Sequence, residues 1–158
     1  MSTQRFTVHQ KQQAALAASD ARTQYGALCY RVKSGQVEIL LITSRGTGRW
    51  VLPKGWPVMG QTPAGSAAVE AFEEAGVEGK AQPVCVGLYS YDKWLPDKPS
   101  LPCVVSLYPL KVRKLRKKFP ENGERKRKWF PRKRAAALVD EPELAQILRG
   151  FDPDHVKS

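Results

Sequence analysis

The sequence predicts one domain of the α/β (α+β) class, in which helices pack on a mixed β-sheet, for example as an α/β/α sandwich. Its 158 residues match an ordinary single domain, and 42% hydrophobic with 26% charged residues allow a core. Short β-like runs alternate with helical segments, an order typical of layered mixed folds. No internal repeat is present, and no apolar run is long enough to cross a bilayer.

The predicted domain covers residues 23–150, between a flexible N-terminal arm at residues 1–22 and a C-terminal tail at residues 151–158. The arm is polar and rich in Gln and Ala, as loosely ordered termini often are. It lacks the apolar segment of a secretory signal, so we expect a cytoplasmic protein that binds no membrane. Nothing in the sequence indicates an obligate protein partner.

The first predicted elements form a β-hairpin. Residues 25–32 and 37–43 are apolar and aromatic runs with a Ser-Gly turn between them. A Gly-rich loop follows at residues 44–49, and a proline ends a short strand at residues 50–52. Further strands are predicted at residues 83–91, 103–112 and 126–130.

A well-delimited helix is predicted at residues 64–75. Thr62 is a favourable N-cap and Pro63 a favourable first helical residue, while Gly76 is placed to end the helix. Shorter helices, each opened by a proline, are predicted at residues 131–139 and 142–148.

Three glutamates of this helix, Glu70, Glu73 and Glu74, lie on one helical face because they are three and four residues apart. They repel each other unless a cation neutralises them or solvent screens them. A solvated acidic face is the common explanation for such a cluster. This helix is otherwise Ala-rich, however, which favours close packing on a sheet and a rigidly held acidic end.

Any metal must be held by oxygen ligands. The two histidines, His9 and His155, lie near the chain ends, so Ser-His or Cys-His catalysis is not expected. Cys29, Cys85 and Cys103 lack the spacing of a zinc site or a disulfide framework, and we expect buried reduced thiols. Oxygen ligation favours Mg²⁺, with Mn²⁺ as a possible substitute.

The formal net charge of +11 is concentrated in one segment. Residues 111–134 hold 13 Lys/Arg and 2 Glu, and the rest of the chain has no net charge. A solvated basic face and a polyanion-binding surface are equally good explanations of this pattern.

Residues 55–77 read GWPVMGQTPAGSAAVEAFEEAGV and resemble the Nudix signature, G-x5-E-x7-R-E-U-x-E-E-x-G-U, in which U is bulky and aliphatic. No insertion or deletion is needed for this register. Residues 26–32, 40–55 and 125–130 resemble the diadenosine and diphosphoinositol polyphosphate phosphohydrolase branch, so the likeness covers about residues 24–148. The matching signature positions are Gly55, Glu70, Glu73, Glu74, Gly76 and Val77.

The resemblance implies a Nudix-type α/β/α sandwich with a loop–helix–loop catalytic motif, in which metal-activated water attacks a phosphorus. Glu73 and Glu74 would be the central metal ligands, and Glu70 would be a further ligand or would orient them. Gly55 would let the backbone approach the metal. Glu74 is the first candidate for the general base, and Glu124 a distant second.

Two signature residues differ in this chain. The first glutamate of the signature is Gln61, and its arginine is Val69. These two family positions commonly pair, so losing both leaves no unpaired charge and is coherent with a retained fold. Ala71 is also smaller than the usual aliphatic residue. The double change favours either a weakened enzyme or a relative without catalysis.

Cationic and aromatic residues around the signature predict a small polyphosphorylated substrate. Guanidinium groups bind phosphate oxygens bidentately, and tryptophans can stack on a base. We expect Trp56 and Trp94 to contact a ligand, and Trp50 and Trp129 to pack in the fold. The expected substrate-binding residues are Arg45, Arg49, Lys54, Trp56, Arg125 and Arg127.

The predicted function is metal-dependent hydrolysis of a phosphoanhydride bond, in dinucleoside polyphosphates or diphosphoinositol polyphosphates. An RNA 5′-pyrophosphohydrolase or a nucleotide pyrophosphatase would use the same metal site. The rival prediction, from another class, is a Nudix-fold module that binds nucleotides or RNA with little or no catalysis.

Overall fold

A mixed β-sheet organises the chain, which the computed structural model describes over residues 22–156. Each long apolar run of the sequence forms one of its strands, and the Ala-rich segment forms the longest helix. The elements, in chain order, are β1 (Arg22–Lys33), β2 (Gln36–Thr43), β3 (Trp50–Val51), β4 (Lys54–Gly55), α1 (Pro63–Ala75), β5 (Val77–Glu78), β6 (Gly87–Lys93), β7 (Leu101–Lys111), β8 (Lys114–Leu115), β9 (Arg127–Pro131), α2 (Arg132–Leu138), α3 (Pro142–Gly150) and a 3-10 turn (Pro153–Val156).

β1 is the centre of the sheet because it pairs with three other strands. It runs antiparallel to β2 and β4, and it runs parallel to β7 over nine residue pairs, from Arg22–Cys103 to Tyr30–Lys111. β6 pairs with β7, and β3 and β9 pair with β2, all antiparallel. β5 and β8 form a separate two-stranded sheet. The parallel β1–β7 pair makes the large sheet mixed, as the sequence predicted.

The two faces of the sheet are covered by different helices. Alternate residues of a strand point to opposite faces. Ala27 and Cys29 therefore join the core cluster beneath α1, whereas Leu28 and Tyr30 join the cluster under α2 and α3. β1 is buried on both faces and forms one continuous apolar run. The predicted α/β/α sandwich is confirmed.

The structure differs from the prediction around residues 83–86, which are not part of β6. The backbone N–H of Gln82 donates to Pro109 O and that of Val86 to Leu107 O, so five residues lie opposite three of β7. The chain bulges outward there. Cys85 is therefore exposed, and the expectation of a buried thiol is wrong at this position but correct for Cys29 and Cys103.

The ends of the described region extend slightly beyond the predicted domain. β1 begins at Arg22, which the sequence assigned to the arm; residues 1–21 lie outside the described part of the chain. Phe151, assigned to the tail, is buried and packs edge-on against Tyr30, with ring centroids 5.1 Å apart. Among residues 22–156, no helix is both long and apolar enough to span a membrane.

α1 follows its capping signals closely. The Thr62 hydroxyl accepts a hydrogen bond from Gly65 N at 2.9 Å, and Gly76 ends the helix in a left-handed conformation with φ 68°. The buried residues of α1 are all small, so the helix backbone can lie close to the sheet. They are Ala64, Ser66, Ala67, Ala71 and Ala75.

The segment after β7 wraps the C-terminal end of α1. The backbone N–H of Glu121 donates to Glu73 O at 3.0 Å, and that of Arg116 donates to Gly76 O at 2.8 Å. The Arg127 guanidinium donates to Ala75 O at 2.6 Å and stacks on Phe119. Carbonyl groups that a free helix end would leave to solvent are therefore paired, and the last turn of α1 is held in place.

We predict that Gly76→Ala destabilises the protein more than Gly123→Ala. Both glycines have positive φ, but only at Gly76 would a Cβ overlap Phe119, Arg127 and the Arg116 carbonyl; at Gly123 the space is open. Each change costs about 1–2 kcal/mol for the left-handed backbone, and overpacking at Gly76 adds about 1–3 kcal/mol. Urea unfolding measures both, and equal losses would contradict the packing described for this helix end.

Candidate functional site

A cleft of about 1110 Å³ lies where the acidic end of α1, the Gly-rich loop, the end of β6 and the start of α3 meet. The pairing of β4 with β1 places Lys54 and Gly55 in the lining of this cleft. Nine of the ten predicted site residues line this cleft: Arg45, Arg49, Lys54, Gly55, Trp56, Glu70, Glu73, Glu74 and Arg125.

The carboxylates form one wall of the cleft. Glu70, Glu73 and Glu74 project from one side of α1, as their spacing predicted, and Glu121 of the wrapping segment joins them. Glu70 lies directly against the backbone of Gly55, where any Cβ would overlap its carboxylate. Position 55 therefore accepts only glycine while Glu70 keeps this position.

In the carboxylate wall, the ionised forms of Glu70 and Glu74 are disfavoured. Burial, followed by the neighbouring charges of Glu74 and Glu73, raises the pKa of Glu70 to about 7. Burial raises the pKa of Glu74 to about 7 as well, although Arg125 and Lys54 oppose the shift. Both shifts mean that the ionised carboxylates are short of compensating positive charge. A cation placed between them would remove this deficit.

Arg125 is the main partner of the carboxylates. Its guanidinium lies 2.9 Å from Glu121 Oε1 and 3.6 Å from Glu74 Oε2, and it donates to Thr43 O at 3.2 Å. The Arg125 side chain is 10% exposed and that of Glu74 12%. Glu74 also accepts a hydrogen bond from Lys54 N at 3.3 Å. Glu74 is thus oriented by one hydrogen bond and one ion pair, from different segments.

Lys54 provides a second cation at the floor of the cleft. Burial lowers the pKa of its ammonium to about 8, and the neighbouring charge of Glu74 opposes that shift. The Lys54 ammonium lies 4.7 Å from the centre of the Tyr91 ring, and the Tyr91 hydroxyl donates to Gln24 Oε1 at 2.5 Å. Tyr91 therefore contacts Lys54, and Gln24 holds Tyr91. Neither residue was predicted from the sequence.

The two arginines of the Gly-rich loop pair with carboxylates of two different segments. Arg45 pairs with Glu124 at 2.9 Å and lies 3.8 Å from Glu121. Arg49 pairs with the buried Glu141 at 2.6 Å, at the start of α3. Both arginines line the cleft, but a phosphate would have to share them with these acidic partners.

The four tryptophans form two groups, and those expected to pack in the fold, Trp50 and Trp129, do so. Trp56 and Trp94 are exposed at the cleft, and the Trp94 side chain is among the most exposed large hydrophobic ones described. Trp50 packs edge-on against Phe130, with centroids 5.1 Å apart. Trp129 lies in the fold beneath the guanidinium of Arg31, at 4.3 Å.

Arg127 and Glu124 do not line the cleft. The sequence predicted Arg125 and Arg127 together as substrate-binding residues, but β9 begins only at Arg127, and Arg125 belongs to the preceding loop. Strand alternation therefore does not relate them, and Arg127 is occupied at the end of α1. Glu121, three residues before Glu124, occupies the cleft instead. No motif marks it; the short Glu-Asn-Gly-Glu turn offered two acids without indicating which one points inward.

The cleft is not a basic pocket. Its lining contains five Lys/Arg and seven Asp/Glu, a net charge of −2 when all are ionised. Of the 13 Lys/Arg in residues 111–134, only Arg125 takes part. Most of this basic segment therefore lies outside the cleft.

The donor set fits a hard divalent cation, since carboxylate oxygens meet a glycine backbone at one point. Among residues 22–156, however, no three Asp, Glu, His or Cys side chains converge as a ready metal shell. Glu74 is turned toward Arg125 and the Lys54 amide instead. Metal binding would therefore require Glu74 to exchange these partners.

We predict that Arg125→Met destabilises the protein by about 3 kcal/mol, because it leaves two carboxylates in the cleft without their main cation. Glu74→Gln should cost less, since Arg125 keeps Glu121. The control is Arg45→Met, whose partly exposed ion pairs are worth at most about 1 kcal/mol. Urea unfolding in EDTA compares the three variants. Similar losses in Arg125→Met and Arg45→Met would contradict the central role of Arg125.

Comparison with known proteins gives the site a family context. The family model of the NUDIX domain matches residues 22–151. A bovine (Bos taurus) protein named diphosphoinositol polyphosphate phosphohydrolase 3-beta is 42% identical over 53 residues, which are 34% of this chain and 32% of that protein. Nudix hydrolase 12, mitochondrial, from Arabidopsis thaliana is 29% identical over 119 residues, 73% of this chain and 59% of that protein.

A solved structure extends the likeness to the fold. The Ap4A hydrolase of C. elegans superposes with a TM-score of 0.65 and 22% identity, covering 85% of this chain and 98% of that one. The chain spans less than two thirds of the length of both curated relatives. The family match covers the whole sheet, the helices and the cleft described above. The chain therefore belongs to the NUDIX domain family.

Proposed function

We propose that this protein is a divalent-metal-dependent hydrolase that cleaves a phosphoanhydride bond in a small polyphosphorylated substrate. The observation that carries the proposal is the wall of Glu70, Glu73, Glu74 and Glu121, which faces cationic side chains across one cleft. Such a site can take a divalent cation and a phosphate chain side by side. The names of the curated relatives, a phosphohydrolase and a Nudix hydrolase, support the same chemistry.

Glu70, Glu73 and Glu74, with the backbone of Gly55, would hold Mg²⁺, or Mn²⁺ in its place. When bound, the metal would supply positive charge to the phosphate oxygens and would make a nearby water more acidic. Glu74 is the first candidate to accept the proton of the attacking water, because its carboxylate lines the cleft beside Glu70 and Glu73. Glu121 replaces Glu124 as the second candidate, since it lies in the cleft.

The cationic residues would orient the phosphate chain. Lys54 and Arg125 lie beside the carboxylates, where they can hold the reacting phosphoryl group. Arg45 and Arg49 are farther along the Gly-rich loop and would bind a more distant phosphate after partial release from Glu124 and Glu141. Arg127 has no part in binding, because its guanidinium is engaged at the end of α1.

The most suitable substrates are dinucleoside polyphosphates and diphosphoinositol polyphosphates. Two similar proteins carry names that mention these classes, an Ap4A hydrolase and a diphosphoinositol polyphosphate phosphohydrolase. The exposed Trp56 and Trp94 at the cleft favour a substrate with a base. We place the activity in the cytoplasm and assign it no membrane and no obligate protein partner.

We predict metal-dependent turnover. In Glu73→Gln and in Glu74→Gln the turnover rate should fall by about 10²–10⁴-fold, since each variant loses a charged ligand or a proton acceptor. The assay compares Mg²⁺ and Mn²⁺ on diadenosine polyphosphates, diphosphoinositol polyphosphates, nucleoside triphosphates and 5′-triphosphorylated RNA. The matched control is Glu143→Gln on the exposed side of α3, which should keep full activity. Unchanged turnover in both cleft variants would refute the assignment.

We also predict that Glu121→Gln lowers turnover by about 10- to 100-fold, the usual effect of removing a residue that supports a metal site. Glu124→Gln should have little effect, because its carboxylate pairs with Arg45 outside the lining of the cleft. The two substitutions are chemically identical and three residues apart, so the comparison isolates position. A larger loss in Glu124→Gln would reverse the assignment.

A second candidate function is a NUDIX-fold module that binds a nucleotide or RNA with little catalysis. The residues that favour it are Gln61 and Val69, which remove two charges from the family signature. If no substrate is turned over while a polyphosphate still binds to the folded protein, this function replaces the first. Turnover of 5′-triphosphorylated RNA alone would instead identify an RNA 5′-pyrophosphohydrolase.

A further inference from the structure

The cations of the basic segment, residues 111–134, are of two kinds: some are engaged within the fold and the others are exposed. Five of its six arginines are engaged within the fold: Arg113 and Arg116 with Glu78, Arg125 in the cleft, Arg127 with Ala75 O and Arg132 with Phe151 O. The seven lysines of the segment and Arg134 are all exposed. Within residues 22–156, none of these eight cations forms an ion pair. We call these eight residues the lysine face.

The lysine face comprises exposed residues of several successive elements. Lys114 lies in β8, and the chain after it crosses the end of α1, where Phe119 stacks with Arg127. Lys126 immediately precedes β9, and Lys128 lies within it, with its ammonium 5.5 Å from the centre of the Phe130 ring. Lys133 lies in the first turn of α2. Eight cations of like charge are therefore exposed within one segment of the chain, residues 111–134.

The proposed hydrolase activity does not use the lysine face. None of its eight residues lines the cleft, and the cleft itself carries more acidic than basic groups. Eight unpaired cations repel each other, which costs stability unless a polyanion neutralises them. The surface thus has a charge that neither the fold nor the cleft accounts for.

We propose that the lysine face binds the phosphate backbone of nucleic acid, independently of the cleft. Lysine presents a compact charge without the planar fork of arginine, so it contacts phosphate oxygens chiefly through its charge, and phosphate contacts carry no sequence information. Binding should therefore be independent of sequence and sensitive to salt, because each neutralised phosphate releases counterions.

The composition of the face favours nucleic acid over other polyanionic partners. Protein interfaces are depleted in lysine and depend on buried aromatic anchors. Amphipathic membrane contacts need large apolar side chains next to the charges. Among the residues described, the exposed large hydrophobic side chains all lie outside residues 111–134. The face offers charge alone, which is what a phosphate backbone requires.

The test is fluorescence anisotropy of the full chain with a labelled oligouridine that has a 5′-hydroxyl end, in EDTA, over about 50–200 mM salt. This probe carries no 5′ phosphoanhydride, and without metal the cleft cannot hydrolyse it. The test variant is Lys117→Gln with Lys118→Gln, two exposed side chains without structural partners in the described region. The control is Lys98→Gln with Arg149→Gln, which changes the net charge equally elsewhere on the surface.

We expect wild-type binding to weaken with salt, and the slope of log affinity against log salt to fall by about 1.4 in the test variant, about 0.7 for each lysine on a single strand. The control variant and Glu73→Gln should keep the wild-type slope. Absence of binding, or equal loss in test and control variants, overturns the proposal. Binding to phosphatidylserine vesicles but not to oligouridine overturns it in favour of a membrane surface. None of these outcomes depends on hydrolysis, so the proposed function stands or fails separately.

Discussion

The crowding of negative charge at the C-terminal end of α1 is the constraint on which the rest of this structure depends. Glu73 and Glu74 lie in the last turn, where the helix dipole is negative, and burial raises the pKa of Glu74 to about 7. The segment after β7 compensates with backbone N–H groups and with Arg125 and Arg127. The same contacts that let the chain fold around this charge also fix the positions of the carboxylates. One neighbouring segment therefore offsets the repulsion at this helix end.

The arginines and the lysines of the segment after β7 have different roles. Its arginines form directional hydrogen bonds to carbonyl and carboxylate oxygens, a task for which the guanidinium group is well shaped. Its lysines stay in water, where a flexible stem and a compact charge cost little. The net positive charge of the chain is therefore a property of its outer surface, while the cleft is slightly acidic. A cation bound among the carboxylates would be needed before the cleft attracts an anion.

Much of the fold and the centre of the site could be predicted from sequence, because those parts depend on local signals. Thr62 and Gly76 mark the ends of α1, and the spacing of the glutamates fixes their shared face. Contacts between distant segments could not be predicted. β5 and β8 have two residues each and no periodicity, and Glu121 reaches the cleft only because its backbone bonds to Glu73. Arg127 was predicted to bind substrate because no local signal shows that its guanidinium bonds to Ala75 O at the distant end of α1.

The altered signature positions are compatible with this architecture because of where they lie. Gln61 is exposed before α1, its side chain lies against Gly65, and it does not line the cleft. Val69 is half-buried on α1 and leaves no unpaired charge behind. Neither change removes a contact of the carboxylate wall, whose partners come from β4 and from the segment after β7. The carboxylate face of the helix therefore has supports that do not depend on positions 61 and 69.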